Sequence, residues 1–68
     1  MKISARNQLK GKITEIEKGS VNAIVKIDIG GGNIISAMIS LDSVKELGLA
    51  VGKEATAIIK ATSVIISV

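Results

Sequence analysis

The chain has 68 residues, 47% of them apolar, with no Phe, Tyr, Trp, Cys, His or Pro and a net charge of +3. That length holds one domain, spanning residues 1–68, and that apolar fraction excludes a disordered chain. The missing Cys and His exclude a disulfide framework, thiol chemistry and soft metal sites, so a small aliphatic core is all that holds the fold together.

The basic residues come first: Lys2, Arg6, Lys10 and Lys12 all precede the first acid, Glu15. Residues 3–9 have no helical period. Lys10 to Glu17 reads as a strand, yet Ile13 and Ile16 fall on opposite faces of a strict alternation, which predicts a β-bulge, and Gly11 marks a close backbone approach. Lys18-Gly19-Ser20 makes a turn. Asn22 to Ile29 alternates cleanly, with Ala23, Val25, Ile27 and Ile29 on one face. Gly30-Gly31-Gly32-Asn33 predicts a hairpin rather than a phosphate loop, which would need Gly-Lys-Ser/Thr leading into a helix. Ile34 to Ile39 is the third strand, with Ile35, Ala37 and Ile39 on one face and Ile34 and Met38 on the other.

"SLDSVKELGL" follows. Leu41, Val44 and Leu47 predict a short helix with one apolar stripe, Ser40 as N-cap and Gly48 as C-terminal stop. Ala55 to Ile59 and Val64 to Val68 predict two more strands, each apolar on both faces. Five short strands with a helix after the third is the chain order of an OB-like five-stranded barrel, an all-β fold with one short helix. Its core contributes only about 3–5 kcal/mol of net stability. The two-faced strands need a second burial surface, so an oligomer is expected. No run approaches the ~18 apolar residues of a membrane span, and polar residues follow Lys2 where a signal peptide would be apolar. The expected location is cytoplasmic, with no membrane partner.

Catalysis has little to work with. Glu15 with Glu17 and Asp42 with Glu46 read as solvated surface pairs, so no enzyme and no direct protein ligands to a metal are expected. Nucleic acid is an unlikely partner, because an OB platform stacks bases on aromatic side chains and none is present. A small tetrahedral oxyanion suits the donors better. Arg6 offers a planar fork, Ser4 a hydroxyl on the same side of an extended segment, and Asn7 an amide. Lys60 ends a strand, and the Ala61-Thr62-Ser63 connector can aim backbone N–H groups at an anion. Ser40 is a third hydroxyl, at a helix start. Each taken alone is as well read as a strand-edge Arg, a strand-end Lys or a capping Ser.

"SARNQLKGKI", "ISLDSVKELGL" and "IKATSVIIS" together resemble the molbindins, or Mop proteins, small molybdate-binding proteins whose module also occurs in molybdate-responsive regulators and transport ATPases. The resemblance covers essentially the whole chain. It implies an OB-like unit assembled as a homohexamer, a trimer of dimers, that holds molybdate or tungstate at subunit interfaces with no cofactor and no turnover. It implies an oxyanion site of Ser4, Arg6, Asn7, Ser40, Lys60, Ala61 and Thr62. Ala61 stands where relatives carry Ser, so only its backbone N–H can donate. The function implied is intracellular storage or buffering of the anion in molybdenum homeostasis. The alternatives are an oligomerisation or sensory module with a vestigial site, and a weak single-stranded nucleic-acid binder.

Overall fold

A computed structural model describes residues 2–68; the expected domain's first residue, Met1, lies outside them. The elements run β1 (Asn7–Lys18), β2 (Asn22–Gly30), β3 (Asn33–Ser40), α1 (Leu41–Glu46), β4 (Glu54–Ile59) and a 3-10 turn over Ala61–Ser63. The four strands form one antiparallel sheet in the order β3-β2-β1-β4. The sheet curls into a half-barrel that stays open between its edges, β3 and β4. Its inner surface there is apolar, lined by Ile35, Ile39, Ala55, Ala57 and Ile59.

β1 is the longest strand, at 12 residues, and pairs with β2 along one side and with the distant β4 along the other. It begins at Asn7, three residues before the sequence-predicted start, because Asn7 to Leu9 pair with Ile59 to Ala57. The expected bulge is present. The register with β2 shifts between Ile13 and Glu15, leaving Thr14 as the extra residue. Through it Ile13 and Ile16 both turn inward, while Thr14, Glu15 and Glu17 stay exposed. Ile13 is fully buried, and its backbone bonds the loop before β4: its N–H to the Lys53 carbonyl at 2.9 Å, its carbonyl to the Gly52 N–H at 2.8 Å. The expected close approach at Gly11 is real. A Cβ there would lie 2.8 Å from the Asp28 carbonyl carbon and 2.9 Å from Ile27 Cγ2.

The β2–β3 hairpin turns on Gly31 and Gly32, both at positive φ (62° and 79°), as a two-residue turn matched to strand twist requires. Asp28 Oδ1 accepts from the Gly30 N–H at 2.8 Å and steadies the entry. Ser40 caps α1 as predicted, its Oγ accepting from the Ser43 N–H at 3.0 Å. At the other end the Gly48 and Leu49 N–H groups bond back to the Lys45 and Val44 carbonyls, a Schellman stop.

The buried core is Ile13, Ala23, Val25, Ile27, Val44 and Ala57. It contains three of the four residues of the expected inward face of β2, with Ile29 only partly buried against it beside the register shift at Asp28/Gly30, and the centre of the predicted helix stripe. Leu47 departs from that stripe: it is the C-cap and is 67% exposed, because the helix ends before the period can bring it inward. The fifth predicted strand also differs. Val64 to Val68 carries no strand and lies exposed, with Ile65 at 93% and Ile66 at 80%. The described chain thus has a four-stranded half-barrel and an apolar tail.

Candidate functional site

The geometry starts from the β1–β4 ladder. Its terminal pair is Asn7 with Ile59, so Arg6 and Lys60 are the next residues along two adjacent chains. The Asn7 side chain spans the same gap, its Nδ2 donating to the Ile59 carbonyl at 3.1 Å. That bond uses one of the amide's two N–H groups and fixes the other's direction. The "SARN" block and the "KATS" turn, more than fifty residues apart in sequence, are therefore neighbours in space.

Each piece is held locally. Gln8 Nε2 donates to the Ala5 carbonyl at 3.2 Å and braces the stretch that carries Ser4 and Arg6. Lys60 leaves β4 in extended conformation and is the N-cap of the 3-10 turn. Within the turn the Ser63 N–H bonds the Lys60 carbonyl at 2.9 Å and the Val64 N–H bonds the Ala61 carbonyl at 3.3 Å. The first N–H groups, of Ala61 and Thr62, have no partner inside the turn, as at any helix start. Ser4, Arg6, Lys60, Ala61 and Thr62 are all exposed, and Asn7 is half-buried.

Charge at this end of the sheet is one-sided. The ion pairs among the described residues are Lys10 with Glu54 at 3.5 Å and Lys26 with Glu15 at 3.3 Å. Neither involves Arg6 or Lys60. Arg6 and Lys60 adjoin at this end of the ladder, the Ser4 and Thr62 hydroxyls, the Asn7 amide and two backbone N–H groups belong to the same two short segments, and no carboxylate lies among them: by residue type, a donor set for an anion. The acids of β1 lie beyond the bulge. There the Glu15 carboxyl is held below the ordinary carboxylate range, first by hydrogen bonding to the Glu17 side chain and then by hydrogen bonding to, and the charge of, Lys26.

Ser40 does not join the cluster within one chain. It pairs with Asn22 at the end of β2 that follows the β1–β2 turn, so the length of β1 separates it from Arg6. Its hydroxyl is also engaged, donating to Ser43 Oγ at 2.9 Å while accepting from the Ser43 N–H. Two further residues belong to the cluster's surroundings: Gln8, which the sequence reading passed over, and Ser63, named there only for its backbone. Gln8 is legible as a polar side chain three residues after the carbonyl it grips; Ser63 adds a hydroxyl to the turn beside Thr62.

Comparison with known proteins accounts for the whole of this architecture. The TOBE domain model matches residues 3–66. The chain is 74% identical over 68 residues to a probable molybdenum-pterin-binding protein of Haemophilus influenzae, covering 100% of this chain and 99% of that one. Among solved structures it is similar to MopII from Clostridium pasteurianum, with a TM-score of 0.92 and 55% identity over 98% of this chain and 100% of that one. A molybdate-binding protein from Sporomusa ovata gives the same TM-score at 42% identity, covering 98% of each chain. With matches of that extent in both sequence and structure, the chain belongs to the TOBE-domain family, as one of its small, molbindin-type members.

Proposed function

We propose that this protein binds molybdate or tungstate as the intact tetrahedral dianion, at interfaces between copies of the chain, and stores or buffers it in the cytoplasm without turning it over. The observation that carries the reading is the junction of Arg6 and Lys60 at the end of the β1–β4 ladder, two cations with no ion pair among the described residues, beside hydroxyl and N–H donors. The printed names of the relatives support the same ligand: the Sporomusa protein is described as molybdate-binding and the Haemophilus protein as molybdenum-pterin-binding. Of those two descriptions the oxyanion suits this chain better, because no aromatic side chain is present to stack on a pterin ring.

Arg6 and Lys60 supply charge; Ser4, Asn7, Thr62 and the Ala61 and Thr62 N–H groups supply directed hydrogen bonds. Ser40 enters from another copy, since its own lies too far along the sheet. Assembly has independent support in the surface. The chain exposes 5265 Å², whereas a compact folded monomer of this mass exposes about 4,000 Å². The surplus, on the order of 1,200 Å², exceeds the ~800 Å² per partner of a standard interface. The exposed tail and the apolar opening between β3 and β4 are the apolar surfaces that a homohexamer, a trimer of dimers, would bury. Among the described residues no helix is long and apolar enough to cross a membrane.

Isothermal titration of the purified protein with molybdate, tungstate and sulfate tests the reading. The expected result is saturable heat with the first two and little with sulfate, which shares their charge and shape class but is smaller, so cavity size and donor spacing discriminate. Silence with molybdate and tungstate at two temperatures would leave the fold standing and the function wrong.

A further inference from the structure

One feature of the charge pattern lies outside the anion site. Before the bulge, alternation along β1 turns Gln8, Lys10 and Lys12 outward, with Arg6 exposed just ahead of the strand, while Asn7, Leu9, Gly11 and Ile13 are half-buried or buried. Arg6, Lys10 and Lys12 therefore form a single outward row that ends at the site. The bulge then changes the strand's phase, and the outward residues become Glu15 and Glu17, at the far half of the strand and matched with Lys26. The acids of β1 are thus held away from the row, and the carboxylates that face it are Asp28 and Glu54, across from Lys12 on the two neighbouring strands. Lys10 keeps 71% of its side-chain surface in solvent, and its one ion pair, with Glu54, is as open.

We propose that Lys10 and Lys12 are an electrostatic guide for the oxyanion, raising its concentration at Arg6 through long-range attraction without touching it. The inference rests on the oxyanion reading of the site. Lys10 lies about 13 Å and Lys12 about 20 Å along the strand from Arg6, too far for contact. A dianion at Arg6 feels both through water. Relative to neutral side chains at the same positions, and against the opposing charges of Glu54 and Asp28, the two lysines strengthen binding about threefold at 0.01 M salt, where the Debye length is about 30 Å; with about 8 Å at 0.15 M the gain falls below about 1.5-fold. The row is a poor track for a nucleic acid, since it has no aromatic platform and meets Glu54 and Asp28 at its far end.

The test is a salt series of calorimetric titrations with molybdate on the assembled wild-type protein and the K10Q/K12Q, K10E/K12E and K10R/K12R variants, each checked for assembly by sedimentation. At 0.01 M salt the Kd is expected to rise about threefold in K10Q/K12Q and about eightfold in K10E/K12E, and to stay at the wild-type value in K10R/K12R. All four curves should meet by 1 M salt with unchanged stoichiometry. A Kd in K10E/K12E that equals wild type at 0.01 M salt overturns the guide while leaving the site intact. A loss that persists at 1 M salt overturns it too, because that is the mark of direct contact or of a damaged fold. Absence of any molybdate heat from the wild type removes the site and the guide together.

Discussion

Arg6 is the residue on which the proposed oxyanion site turns. Once the anion is enclosed between chains, removing its cation leaves a desolvated dianion uncompensated, so Arg6→Ala is expected to weaken binding by about 2–5 kcal/mol, read as Kd by calorimetry. The assembly should survive, since Arg6 makes no ion pair among the described residues. Gly11 fails in the opposite sense. A methyl group there meets the Asp28 backbone, which is pinned in the β1–β2 ladder and cannot yield as a side-chain end would. Gly11→Ala should cost about 1–3 kcal/mol, at the upper end, by denaturant unfolding. Glu15 carries the pH signature. Its folded pKa is lowered, so its contribution is present above the unfolded value of 4.5 and lost as pH falls through the lower folded value. Glu15→Gln should therefore lower stability at neutral pH, with the deficit shrinking as both proteins are acidified below 4.5.

Among the elements, α1 is too short to stand on propensity, and its ends are fixed by side-chain and backbone bonds instead. Ser40→Ala removes the oxygen that accepts from the Ser43 N–H, and a loss of about 1 kcal/mol in unfolding free energy is expected. Because Ser40 is also a proposed anion ligand, that variant is informative only with stability and affinity measured side by side. The strands show where local sequence suffices. Conflicting phases at Ile13 and Ile16 announce the bulge, and the three glycines before Asn33 announce the hairpin, because each is a constraint written in neighbouring residues. Leu47 misleads for the same reason: the period continues through a residue at which the Schellman bonds have already ended the helix. Val64 to Val68 has the composition of a strand, but a strand exists only with a partner, and pairing is not a local property.

At the scale of the molecule the proposed site was legible as ingredients and not as an arrangement. Nothing near Arg6 in sequence points to Lys60; the β1–β4 register brings them together, and register is a long-range fact. That Ser40 stands apart was equally hidden, since its place follows from the order β3-β2-β1-β4. The two-faced apolar strands did announce unfinished burial. The exposed Ile34, Met38, Ile65 and Ile66 are its outcome in the folded chain. A protein whose remaining apolar surface is covered by its own copies has a stability tied to its concentration. Its Tm should climb as protein is raised from about micromolar to about millimolar, where a self-sufficient monomer would show no change.

The tail gives that dependence a further meaning. Residues 64–68 carry no charge and no proline, and end in aliphatic side chains held open to water. A subunit left without companions displays a short sticky sequence of the kind that seeds cross-β stacking. In the proposed assembly, dilution would act on such a chain as a denaturant, uncovering the segment that contact between copies would otherwise bury.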